Sequence, residues 1–137
     1  GELLYDRTIK SFEGHISWTD KKIDISLDVD KDNKSGITKA RKAMKELYLS
    51  AEKRDAEMRT FAAKKLIDLA RDWCESEEEA LKITEESFAK RIGIGSISMT
   101  SGGSFSAYFN DDDIFAGHCI TVTGSLKKGI TSASMGG

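Results

Sequence analysis

The chain holds two histidines, His15 and His118, and two cysteines, Cys74 and Cys119. His118 and Cys119 are neighbours, an invitation to read a base beside a nucleophile. The surrounding pattern argues against it. The run His118-Cys119-Ile120-Thr121-Val122-Thr123 alternates like a strand, and successive strand residues point to opposite faces. On that alternation His118 shares the core face with Ile120 and Val122, where a hydrogen-bonded histidine is expected, and Cys119 shares the other face with Thr121 and Thr123. No acid or cysteine stands near His15 at a metal-ligand interval, so no metal site and no cofactor is expected.

Carboxylates are the next candidates. Asp111-Asp112-Asp113 sits between two strand-like runs, and adjacent carboxylates repel unless a positive group is near. The plain reading of the triplet is an ordinary polar turn; as a site it would meet a divalent metal or a basic partner, and with Tyr108 and His118 these three form the expected binding residues or, in an enzymatic alternative, a site around Asp111, Asp113 and His118. No catalytic residue is assigned. Asp28 to Gly36 resembles half of a calcium loop, but Lys39 occupies the place of the bidentate acid and Asn33 that of the turn glycine. A solvated turn capping a helix is the expectation there. Ile92-Gly93-Ile94-Gly95-Ser96 lies between a helix and a strand, the reverse of a dinucleotide-binding turn. There is no Walker loop and no nucleophile elbow. Lys39, Arg41, Lys42 and Lys45 make one helix basic, with Glu46 and Glu52 following, as on a solvated face.

Three blocks must position these groups. From about Thr8 to Asp30, Ile16 and Trp18 alternate with Ser17, and Ile23, Ile25, Leu27 and Val29 alternate with acids and serine, predicting a hairpin around Thr19–Lys22. Between Gly36 and Gly93 there is neither Gly nor Pro. Ile37, Ala40, Met44, Leu47 and Tyr48 form one helical stripe, and Met58, Ala62, Leu66, Leu69 and Trp73 a second. Continuing the first stripe would bury Asp55, so a break is predicted near Glu52–Asp55. A third short helix is predicted from Thr84, with Gly93 as its C-cap. From Ser96 onward, alternating runs around Ser101-Gly102-Gly103 and Asp111–Asp113 predict a three-stranded meander, with the tail from Thr131 an edge strand or disordered. The expected fold is one α+β domain over residues 1–137, an antiparallel sheet against two or three central helices.

Composition bounds the rest. In 137 residues, 21 Lys plus Arg oppose 23 Asp plus Glu, a net charge of −2 that gives no reason to bind nucleic acid. No apolar run reaches the roughly 18 residues of a membrane span. Two cysteines are too few for a disulfide scaffold, and Gly1 to Arg7 lack the apolar stretch of a signal peptide, so a cytoplasmic protein is expected. A start on Gly1 rather than Met leaves room for a preceding segment.

Phe12-Glu13-Gly14-His15-Ile16-Ser17-Trp18, Phe105 and Phe109, the Asp111–Asp113 turn and Phe115-Ala116-Gly117-His118-Cys119-Ile120-Thr121-Val122-Thr123-Gly124 together resemble a bacterial domain-of-unknown-function family, number 2262. The resemblance spans most of the chain, with Ala116 where an aromatic is expected. It implies a small bacterial cytoplasmic protein without established catalytic residues, and some similar domains are suspected immunity proteins. The function expected is a non-enzymatic module that binds another protein. The alternatives are the enzyme above and a structural or homo-oligomeric domain paired through a strand edge.

Overall fold

A computed structural model of the chain describes residues 13–29 and 33–136. Two strands, β1 (Glu13–Trp18) and β2 (Lys21–Asp28), precede four helices: α1 (Lys34–Leu49), α2 (Ala51–Asp72), α3 (Glu77–Lys82) and α4 (Glu85–Arg91). Four strands follow: β3 (Gly93–Thr100), β4 (Ser104–Asn110), β5 (Cys119–Ser125) and β6 (Gly129–Gly136). All six form one sheet in sequence order. Every neighbouring pair is antiparallel except β2 and β3, which run parallel. Antiparallel neighbours close with short turns, whereas a parallel pair needs a long crossover, and the helices supply it.

The predicted N-terminal hairpin is present over the described residues; Thr8 to Phe12 lie outside them. Its turn is tighter than Thr19–Lys22. Thr19 and Asp20 alone make it, with φ of 43° and 73°, the double left-handed geometry that matches strand twist. The C-terminal meander has the three expected strands and a fourth, the edge strand that is one of the two readings of the tail. Residues 129–136 pair with β5, and the register shifts at Thr123/Gly124. That shift breaks the period of two, so Ile130, Ala133 and Met135 do not read as one strand face. Gly124 is required at the close approach: a Cβ there would lie 2.3 Å from the Gly129 carbonyl oxygen.

The helices cover one sheet face. Trp18, Ile23, Ile94, Ile97, Phe109 and Ile120 from the strands meet Ala40, Met44, Leu47, Met58 and Ala62 from the helices, all essentially inaccessible. Each large side chain buried this way contributes roughly 1.5–3 kcal/mol. The break between α1 and α2 falls at Ser50, slightly before the predicted segment. Ser50 leaves helical geometry at φ −113°, ψ 31°. Asp55 does turn inward, and it is partnered there. Thr84 caps α4 as predicted, accepting from the Ser87 amide at 3.0 Å while Ser87 Oγ accepts from the Thr84 amide at 2.9 Å. The C-cap of α4 is Ile92, and Gly93 instead opens β3. Helix α3 has no buried residue, hence no apolar stripe to reveal it in the sequence.

Candidate functional site

Residues alternating with the core point to the sheet face that the helices leave bare. The register lines them up in two rows across the strands. One runs His15, Asp24, Ser96, Tyr108, Thr121, Ser134. The other runs Ser26, Ser98, Ser106, Thr123, Ser132. Neighbouring strands lie about 4.8 Å apart, so hydroxyls recur at that spacing along each row. The Thr123 and Ser132 hydroxyls hydrogen-bond each other.

His15 Nδ1 lies 2.6 Å from Asp24 Oδ1. A carboxylate oxygen only accepts, so Nδ1 carries the proton and Nε2 is left for a partner. Both side chains are largely exposed, so the pair orients the ring more than it stabilises the fold. A cavity of about 500 Å³ surrounds His15, Asp24, Ser26 and Ser96. A second, of about 300 Å³, is lined by Ser96, Tyr108, Asn110, Asp113, His118 and Cys119. Ser96 lines both, making one shallow trough from β1 to the loop before β5.

That loop is built around Asp111. Its carboxylate, 3% exposed, accepts the backbone amides of Asp113 (3.1 Å), Phe115 (2.8 Å) and Gly117 (3.0 Å). Three amide donors disperse its charge, so Asp111 organises the turn. Asp112 turns away from the trough: its Oδ2 accepts from Arg91 Nε at 2.9 Å and its carbonyl from Arg91 Nη2 at 2.7 Å. Arg91 is the positive group that the acidic triplet needs. Asp113 is exposed at φ 61°, and its carboxylate has no partner among the described residues.

His118 is hydrogen-bonded, as expected, but half-buried and not enclosed in the core. Strand β5 begins at Cys119, so the alternation does not extend back to it. The half-buried ring packs edge-on against Trp73, centroids 5.3 Å apart, and Nδ1 donates to the Phe115 carbonyl at 2.6 Å. Its Nε2 is therefore the free nitrogen, as in His15. His118 and Cys119 line the same trough, yet no hydrogen bond joins His118 to Cys119 or to a carboxylate among the described residues. The structure thus gathers Tyr108, Asp111, Asp113 and His118, and sets Asp112 apart on Arg91.

Elsewhere, Asn33 caps α1 by accepting from the Gly36 amide at 3.0 Å, as expected of a capping turn; Asp30 to Asp32 lie outside the described residues. Both cysteines are free thiols and half-buried. Among the described residues no group of three His, Cys, Asp or Glu side chains could hold a metal ion. The His15–Asp24 pair was missed in the sequence. Pairing Ile16 with Ile23 across a two-residue turn places it, and reading the turn as four residues hides it.

A family model described as an uncharacterized protein conserved in bacteria (DUF2262) matches residues 1–135. The chain belongs to the DUF2262 family. No curated protein and no solved structure matches it. For this DUF2262 chain, no helix among the described residues is long and apolar enough to cross a membrane.

Proposed function

We propose that this DUF2262 protein is a non-enzymatic protein-binding module, with the bare sheet face and the 111–118 loop as its contact surface. The observation that carries the reading is the pair of aligned polar rows across the strands. Hydroxyls donate and accept, so such a face meets backbone and polar side chains of a partner without leaving buried groups unpaired. Tyr108, 38% exposed at the middle of the face, supplies an amphipathic anchor of the kind enriched at interfaces. The trough is wide and shallow, unlike the concave apolar sites that take small molecules. Lys22, Asp24 and Asp28 mix signs on the same face, which disfavours a phosphate backbone as partner.

The carboxylates support contact over chemistry. Asp111 is taken up by loop amides and Asp112 by Arg91, leaving His118 without an acid to orient it. Cover of a toxin by an immunity-type module is one form this binding takes.

The test is affinity capture from a bacterial lysate of the family's host, with wild type beside Ser98→Arg/Ser106→Arg, which crowds the centre of the face. A protein held by wild type, and by a Lys42→Glu control on α1, but lost from the double variant is the expected result. Equal retention by all three, or no specific retention, overturns the reading.

A further inference from the structure

Strand β6 ends the sheet, and among the described residues nothing pairs with its outer edge. An edge strand presents a row of free amides and carbonyls, and proteins normally guard it with charge or proline. From Gly129 to Gly136 β6 has neither, and its side chains are small apart from Ile130 and Met135. Its one irregularity, the shift opposite Thr123/Gly124, lies in its first half and leaves Ser132 to Gly136 in plain register. We infer that this edge is a two-fold interface with a second copy of the same chain, joining two six-stranded sheets into one.

The sequence of β6 is self-complementary in the way a two-fold contact requires. In an antiparallel pair, directly opposed side chains share a face. Centring the axis on Ala133 sets Ser132 opposite the partner's Ser134 on the polar face, and the reverse. It sets Ala133 opposite its own copy on the inner face, where a small side chain allows close approach. The flanking cations, Lys127 and Lys128, precede the strand, so antiparallel pairing carries the two lysine pairs to opposite ends of the contact, away from each other. The same register sets the partner's Met135 opposite Thr131, one residue along from Ile130. Ile130 and Phe61, both half-buried, line a groove of about 550 Å³ beside the start of β6, together with Glu57, Lys64 and Lys128, and the methionine side chain is placed to cover its apolar residues. The polar rows then continue across the axis, which doubles the width of the face proposed above. The inference does not depend on that face binding a partner.

Sedimentation velocity over a concentration series tests it, using wild type and two double variants whose folding is followed by circular dichroism. Wild type sediments as a dimer that dissociates on dilution. Ser132→Lys/Ser134→Lys opposes like charges twice and weakens the dimer by about tenfold or more. Ser132→Lys/Ser134→Glu opposes unlike charges in the same register and restores it. A strictly monomeric wild type overturns the inference, as does a dimer unaffected by the double lysine variant. If an acidic peptide or another protein were the occupant, wild type alone would be monomeric, and the inference fails in the same way.

Discussion

Trp18 of β1 donates its indole Nε1–H to Oδ1 of Asp55 on α2 at 3.1 Å. The other oxygen of Asp55 accepts from Arg59 Nε at 2.7 Å, with both charged side chains less than a quarter exposed. Arg59 in turn donates Nη1 to the carbonyls of Ala89 and Ile92 and lies over the Phe109 ring at 5.6 Å. One carboxylate thus ties the N-terminal hairpin, the long helix, the α4–β3 junction and the meander together.

Removing it leaves a half-buried guanidinium uncompensated and an indole N–H unpaired. Asp55→Ala is expected to destabilise the fold by about 2–4 kcal/mol. Asp55→Asn keeps an acceptor for Trp18 and costs less. Urea unfolding followed by tryptophan fluorescence measures both, and an Asp55→Ala midpoint equal to wild type refutes the network's importance.

Asp111→Ala orphans three loop amides at once, one of them fully buried, for an expected loss of about 2–4 kcal/mol. Asp112→Ala, which breaks an exposed pair with Arg91, costs no more than about 1 kcal/mol. Thermal unfolding of the two variants side by side gives the ranking; the reverse order contradicts the structural role assigned to Asp111.

Gly124→Ala drives a methyl into the Gly129 carbonyl and the Ile130 backbone. Backbone cannot yield as a flexible side chain does, so a loss of about 1–3 kcal/mol is expected. Amide exchange is the sharper readout: protection falls first in β6. Uniform protection in the variant would mean that the strands are further apart there.

Ser98→Ala and Ser106→Ala remove hydroxyls from the polar face without touching the core. Each is expected to change stability by less than about 0.5 kcal/mol. A large loss in either, read by chemical denaturation, would show that the rows hold the sheet together instead of serving contact.

The fold was legible where periodicity was strong. The alternation of Ile23, Ile25 and Leu27, and of Phe105, Ala107 and Phe109, placed strands and faces correctly, because one side of each is buried. The stripes around Met44 and Leu66 placed the helices. Two elements lacked that signal: α3 buries nothing, and the register shift in β6 disrupts its period. The spatial neighbourhood of the loop was legible, since Tyr108, Asp111, Asp113 and His118 line one cavity. Their individual settings were not, because they depend on partners distant in sequence. Arg91 selects Asp112, Trp73 holds the His118 ring, and loop amides enclose Asp111. His118 is hydrogen-bonded as expected but only half-buried, because the strand begins one residue after it.

The parallel junction between β2 and β3 governs how the chain is made. The hairpin and all four helices leave the ribosome before the first strand of the meander exists. Until then the greasy sides of α1 and α2 have only two of the six strands to cover them. The nascent polypeptide therefore offers chaperones a window that closes only when its last strands are synthesised, and the meander, whose contacts are local, is suited to close it quickly.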